Sequence, residues 1–333
     1  MEKVIAVVVT YNRNALLYDC ITALRNQTRQ LDAILVVNNG STDFTLQWLQ
    51  NQSDLFFVTQ ENVGSSGGFT TGINWALKNN YSWIWCMDDD GYPKEDALEK
   101  LLEVDDGCLK LLNCAVIDKD DKNSFVWKTS KYQGLDQVDC KVIEGIGHPF
   151  NGTLLNRKIV ERVGVPQSKF FLWGDETEYY YRIVRKYKIP VYTIADSIHY
   201  HPGSTFSLKK DWDYANNWKV FFYIRNRFHV HKAKFNNKLQ ALFNYIFFLV
   251  AFSGVIIIYQ KTDKIKKLRF MIWPASDALM NKFDVGPSLI MSKLATSQLE
   301  NHHKTLNINF KSFRSSILAP FTFLRLRRAV NAG

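Results

Sequence analysis

Four short runs of β-branched and apolar residues, Val4–Val9, Ala33–Val37, Leu55–Val58 and Ser82–Met87, recur near the start of the chain. A segment with helical spacing separates each from the next: Ala15–Asn26, Phe44–Asn51 and Gly68–Asn79. The runs have almost no polar interruption, which suits strands covered on both faces rather than a half-solvated sheet. Asp43 and Ser66 stand where the second and third helices would begin. This β-α-β-α-β-α-β alternation predicts an α/β fold, an open and mostly parallel sheet with helices on both faces. In such sheets ligands bind beyond the carboxyl ends of the strands.

The polar residues following the four runs are Thr10-Tyr11-Asn12-Arg13, Asn38-Asn39-Gly40-Ser41, the stretch from Glu61 through Asn62 to Gly67 and Gly68, and Asp88-Asp89-Asp90. All four fall where one site would lie. The third is a glycine-rich turn into a helix, which can bring backbone N–H groups up to a phosphate. It lacks the Lys-Ser/Thr ending of a P-loop and the spacing of the dinucleotide fingerprint, so neither motif is expected.

Three adjacent carboxylates at a strand end repel one another unless a cation or a shared proton compensates, and oxygen ligands suit Mg²⁺ or Mn²⁺. In extended backbone alternate residues point the same way, so Asp88 and Asp90 can face one site while Asp89 points elsewhere. A solvated acidic turn, eased by Gly91 and Pro93, is the plainer alternative. A second acidic group, Asp175-Glu176-Thr177-Glu178, follows the apolar run Phe170-Phe171-Leu172-Trp173-Gly174. Partial desolvation there would raise a carboxylate's proton affinity toward general-base work, and the same residues would also cap a helix over Glu176–Tyr187. His199-Tyr200-His201 follows a strand-like Val191–Ile194 and offers an imidazole to the metal; Leu109–Ile117 and Phe125–Lys128 also read as strands. His229 and His231 lie among Arg225, Arg227, Lys232 and Lys234 and read as a basic face.

Charge divides the chain. Residues 1–200 hold 21 Lys/Arg against 26 Asp/Glu, and residues 201–333 hold 21 against 6. The stretch from Asn301 onward has basic residues and no acidic one, which calls for an anionic surface. Leu239–Gln260 carries no formal charge over 22 residues and is bounded by Lys238 and Lys261. Three placements are open to it: interfacial or re-entrant attachment, burial under the catalytic domain, or a membrane span of about 20 residues. Trp273, Phe283, Phe310, Phe313, Phe321 and Phe323, interleaved with basic residues, are expected to meet lipid headgroups. No nucleic-acid-binding module is present, so nucleic acid is not an expected partner. Five cysteines without a C-x-x-C pair point to a reducing compartment, and the residues before Val4 do not read as a signal peptide. The expected location is the cytoplasm. No oligomeric state is specified.

Taken as an ordered set, Val7–Arg13, Val36–Asp43, Asn62–Phe69, Asp88-Asp89-Asp90 and Trp173-Gly174-Asp175-Glu176 resemble the inverting nucleotide-sugar-dependent glycosyltransferases of family 2, which have the GT-A fold. Within that family they most resemble bacterial galactofuranosyl- and rhamnosyltransferases, the triple aspartate leaning toward the former. The resemblance covers about residues 3–205. Phe221–Arg227 resembles the start of the helical extension such enzymes carry.

The resemblance implies a catalytic domain over 1–205, with a nucleotide-sugar half to about 95 and an acceptor half beyond it, and a membrane-associating extension over 206–333. It implies that Thr10, Tyr11, Asn12, Arg13, Asn39, Ser41, Asn62, Gly67, Gly68, Asp88 and Asp89 bind the donor. Asp88, Asp90 and His201 would hold Mn²⁺ or Mg²⁺. Glu176 would be the catalytic base with Asp175 as the other candidate, and Trp173 and Glu178 would contact the acceptor. The expected reaction moves galactofuranose from its UDP donor onto a lipid-linked glycan of a bacterial surface polysaccharide such as an O-antigen, at the inner membrane face. Rhamnose from dTDP-rhamnose is the second choice. A non-catalytic GT-A-like binding domain and a nucleotidyltransferase are the rivals from other classes.

Overall fold

The computed structural model describes residues 2–127, 131–203, 207, 209–235 and 237–296. The basic stretch from Asn301, with Phe310, Phe313, Phe321 and Phe323, lies outside the described residues, as does Lys128.

Nine strands form one sheet: β1 (Val4–Thr10), β2 (Ala33–Asn38), β3 (Phe56–Thr59), β4 (Trp83–Asp88), β5 (Tyr92–Pro93), β6 (Leu111–Asp118), β7 (Val142–Glu144), β8 (Asn151–Asn156) and β9 (Val191–His201). The order is β3-β2-β1-β4-β8-β6-β9-β5, with β7 also on β9. The first four strands run parallel, β8 enters antiparallel between β4 and β6, and β6 and β9 are parallel. The expectation of a mostly parallel sheet is met.

The helices are α1 (Asn14–Arg25), α2 (Thr45–Gln50), α3 (Gly64–Lys78), α4 (Ala97–Leu102), α5 (Arg157–Val163), α6 (Asp175–Tyr181), α7 (Lys219–Lys234), α8 (Lys238–Tyr259), α9 (Lys264–Phe270) and α10 (Ile272–Leu279). Successive side chains of β1 enter opposite cores. Val4, Ala6 and Val8 meet Leu17, Ile21 and Leu24 of α1, while Ile5, Val7 and Val9 join Phe69 and Ile73 of α3 and Tyr179 of α6. This two-sided burial is the reason β1 needs no polar face.

Several expectations change. β9 runs to His201, so the paired histidines sit on the strand rather than after it. Of the strand expected over Phe125–Lys128, the described residues Phe125–Trp127 form none; Phe125 makes one isolated bridge to Ile117. The helix expected through Tyr187 is α6 followed by a π-helical turn over Arg182–Lys186. α3 begins four residues before the expected start, which places Ser66, Gly67 and Gly68 inside it.

The chain divides into two compact units, residues 1–211 with 220–283, and residues 212–219 with 284–333. In the first, α8 buries Ala241, Tyr245, Phe252 and Ile256 and exposes Leu239, Phe243, Phe247, Val250 and Ile258. A helix with such an apolar outer surface is not one buried under the catalytic domain. Trp273 and Phe283, expected at headgroups, are half-buried and make ring contacts within the fold: Trp273 meets Phe221 edge-on, and Phe283 stacks on Phe170. His229 itself is buried, whereas Lys232 of the expected basic face is exposed.

Candidate active site

β4 ends at Asp88, and four residues later Tyr92 pairs with Tyr200 of β9. This short crossing pins Asp90 beside the end of β9, with its Oδ1 3.2 Å from His201 Nε2. Gly91 is required in the crossing, since a Cβ there would stand 2.3 Å from His199 Nε2. His199 is fully buried and burial holds it at about 3, so it is a neutral wall of the site. His201 also meets the Trp127 ring, which in turn packs on His148. Trp127 and His148 were not expected at the site, because no spacing links them to the aspartates.

The compensating cation that the triple aspartate requires is present within the chain. Arg13 Nη1 is 3.1 Å from Asp89 Oδ1 and 2.6 Å from Asp90 Oδ2. The expected alternation does not hold, because Asp89 and Asp90 lie in a turn and share Arg13; Asp89 also accepts a 2.7 Å hydrogen bond from Thr10 Oγ1. Both Thr10 and Asp89 are buried, so the reading of a solvated acidic turn fails. Burial lifts Asp89 to about 6 against the pull of Arg13 and Thr10. Burial would lift Asp90 as well, but His201 and Arg13 bring it down to about 2. For Asp88, burial, then Asp90 and Asp89, push the carboxyl well above the ordinary range and outweigh the pull of Arg13.

The second acidic group stands on α6. The loop before α6 is docked on the start of α3: Ser66 N donates to Phe171 O, Ser66 Oγ to Gln167 O and Thr70 Oγ1 to Pro166 O. Gly64 makes this approach possible. Its φ is +76°, and a Cβ would fall 2.0 Å from Phe171 O. The glycines behind it serve packing: a Cβ on Gly67 would strike Val63, and one on Gly68 would strike Val9 of β1.

The loop itself is wound tightly, with φ +65° at Phe171, +59° at Trp173 and +95° at Gly174. The Trp173 ring meets Tyr223 of α7 edge-on. Gly174 and not Asp175 is the N-cap of α6, and Glu176 Oε2 accepts from Gly174 N at 3.1 Å. Asp175 is 2% exposed and its Oδ1 has no hydrogen-bond partner. Burial, and then Glu176 beside it, hold its carboxyl far above the ordinary range. Glu176 is only partly covered. Glu178 is buried, with Oε1 taking a hydrogen bond from Gln167 and Oε2 paired to Arg182.

On the other side of the crevice, Asn12 N donates to Ser41 Oγ and Thr42 N donates to Asn12 Oδ1, tying the loops after β1 and β2 together. Asn39 is buried, donating to Gly64 O and Asn62 Oδ1 and accepting from Gln60 Nε2. It fastens the β2 loop to the start of α3. Tyr11 stands exposed beside them.

Asp88, Asp90 and His201 suit a hard divalent cation by chemistry, two carboxylates and one imidazole. Asp90 Oδ1 fits this role: it is buried and, apart from the His201 contact, has no hydrogen-bond partner. Among the described residues no three His, Cys, Asp or Glu side chains stand in a ready-made metal-ligand arrangement.

With this geometry in place, comparison with known proteins is direct. The profile described as "Glycosyl transferase family 2" matches residues 5–164. Galactofuranosyltransferase GlfT1 of Mycobacterium tuberculosis is 30% identical over 261 residues, covering 72% of this chain and 86% of that protein. The dTDP-rhamnosyl transferase RfbF of Shigella flexneri is 25% identical over 207 residues, 59% of this chain and 67% of that one. The solved structure of S. aureus TarS 1–349 superposes with a TM-score of 0.56 at 12% identity, covering 83% of this chain and 80% of that one, which supports the GT-A-like fold. The chain belongs to glycosyl transferase family 2 and is a glycosyltransferase.

Proposed function

We propose that the protein transfers galactofuranose from UDP-galactofuranose, with inversion, to a hydroxyl of a lipid-linked glycan in surface polysaccharide synthesis. The observation that carries the reading is the contact of His201 with Asp90, with the loop leading into Glu176 docked on α3, in a chain similar to GlfT1 over most of that protein's length.

In this reading the donor's diphosphate lies against Asp88, Asp90 and His201, which would hold Mn²⁺ or Mg²⁺; the bound ion offsets the charge of the departing diphosphate. Arg13, Thr10 and Asp89 act as positioning residues, since their hydrogen bonds hold Asp90 toward His201. Asn12, Ser41, Asn39 and Asn62 shape the nucleotide side of the crevice, with Tyr11 exposed for the base. Glu176 accepts the proton of the acceptor hydroxyl as that oxygen bonds to the anomeric carbon and the carbon–diphosphate oxygen bond breaks. Partial exposure favours Glu176 as the base, whereas Asp175, buried and held protonated, supports it from behind. Trp173 is placed to contact the acceptor, and Glu178 stiffens the helix through Arg182.

The exposed apolar outer surface of α8 supports attachment at the inner membrane face, where a lipid-linked acceptor is found. The domain division proposed is a catalytic part to about residue 205 and a membrane-associating extension after it. The test is a donor panel with the full chain, Mn²⁺ or Mg²⁺ and a lipid-linked glycan acceptor, reading the nucleoside diphosphate released. UDP release from UDP-galactofuranose, lost in EDTA, is the expected result. Release from dTDP-rhamnose alone would favour the rhamnosyl reading that the likeness to RfbF supports.

A further inference from the structure

Behind α6, away from the Asp90–His201 pair, lies a cleft of about 440 Å³. Its walls come from the turn before α6, from α6 and the π-helical turn, from the last turns of α7 and from the first residue of α8. Five cations, Lys169, Arg182, Lys186, Lys232 and Lys238, line it against one carboxylate, Glu178. Glu178 is already committed to Arg182 at 3.1 Å and to Gln167 at 2.8 Å. Among the described residues no carboxylate pairs with Lys169, Lys186, Lys232 or Lys238, so the cleft holds a surplus of positive charge.

The four lysines are exposed, and they stand around one buried, uncharged ring. His229 lines the cleft at 7% exposure, and its Nε2 has no hydrogen-bond partner. Burial, and then Lys232 and Lys169, hold its imidazole at about 3, and burial together with Lys232 lowers the Lys169 ammonium. Cations converging on one cleft with a single committed carboxylate raise its potential, which a multivalent anion would meet.

The surroundings indicate which anion. Lys238, on the rim, is the first residue of α8, and the next turns of that helix present Leu239, Phe243, Phe247 and Val250 outward. An anionic head in the cleft would therefore have an apolar track beside it. Glu178, in the cleft wall, is two residues from Glu176, about 3 Å along the helix axis. Residues two apart on a helix face different sides, so a bound acceptor would pass over the start of α6 to bring its sugar to Glu176.

We propose that this cleft binds the diphosphate of the lipid-linked glycan acceptor, with its lipid chain lying along α8 and its sugar reaching Glu176. The assignment rests on the proposed function for its acceptor, and it adds a charged anchoring site separate from the donor crevice.

The experiment uses the full chain in neutral detergent and measures binding of farnesyl diphosphate, farnesol, inorganic diphosphate and phosphatidylglycerol vesicles by calorimetry. Farnesyl diphosphate is expected to bind at least tenfold more tightly than inorganic diphosphate, and farnesol not detectably. Lys169→Ala/Lys232→Ala is expected to weaken farnesyl diphosphate at least tenfold and to raise KM for the lipid-linked acceptor more than KM for UDP-galactofuranose. The exposed Lys238→Glu variant is expected to weaken it in the same direction should the double variant fold poorly, and Lys169→Arg/Lys232→Arg to retain binding. Equal affinity for inorganic and farnesyl diphosphate would overturn the lipid assignment in favour of a free-phosphate site. Binding to vesicles alone would reassign the cleft to the membrane surface, and unchanged affinity in both charge-removing variants would remove it from acceptor binding. The donor panel on the unmodified protein judges the proposed function separately.

Discussion

Asn226 Nδ2 of α7 lies 2.7 Å from the carbonyl oxygen of Trp173, and the same amide reaches Leu172 O at 2.9 Å and Phe170 O at 3.0 Å. α7 thereby holds the loop that leads into Asp175 and Glu176. Arg225 adds a bond from Nη2 to Phe170 O and stacks between Phe222 and Phe283. Backbone with φ of +65° and +59° at two bulky residues persists only where its surroundings over-determine it.

Asn226→Ala is therefore expected to lower turnover while the sheet stays folded. Leaving these carbonyls unpaired costs on the order of 1–3 kcal/mol. Asn226→Asp, which cannot donate, should be worse. Turnover measured beside thermal unfolding by circular dichroism checks this; equal turnover in Asn226→Ala and the parent chain would refute the role.

Glu176→Gln keeps the shape of the side chain and removes the base. Turnover should fall by about 10²–10⁴, the range for loss of a general base. Asp175→Asn should lose far less, because the Asp175 carboxyl is buried and held protonated. Reversal of that ranking would make Asp175 the base.

EDTA should abolish transfer, with Mn²⁺ or Mg²⁺ restoring it. Asp90→Asn or His201→Ala should raise the metal concentration for half-maximal rate by at least about tenfold. Titration of metal at saturating donor reads this, and transfer unaffected by chelation would discard the assignment of Asp88, Asp90 and His201.

Gly64→Ala places a Cβ on the Phe171 carbonyl and strains a left-handed backbone. The strain alone costs on the order of 1–3 kcal/mol. Reduced melting temperature and reduced turnover should appear together, since α3 and the catalytic loop are joined at this contact.

His229 is held at about 3, below its ordinary 6.5, first by burial and then by Lys232. Between these values the unfolded chain binds the proton and the folded chain does not. Its contribution to stability is present above about pH 6.5 and is lost as the pH falls toward 3, by at most about 1.4 kcal/mol per pH unit. His229→Phe, in a site already formed by Phe170, Phe228 and Phe283, should flatten the acid limb of a denaturant-unfolding series.

The amino-acid sequence alone determined the parallel half of the sheet and the identity of the acidic and imidazole groups. Buried β-branched runs and the polar residues at their ends are local patterns, legible without knowing what they touch. Tertiary structure decided which of those groups meet. β8 inserts between β4 and β6, β9 extends to carry His201 to Asp90, Arg13 returns from the β1 loop to neutralise the aspartates, and Asn226 reaches back to Trp173. Each of these links residues far apart in the chain through one contact, and a single contact leaves no period in the sequence. The cationic cleft has the same origin, since its cations come from the turn before α6, the π-helical turn after it, α7 and α8, and become neighbours only when those segments pack together.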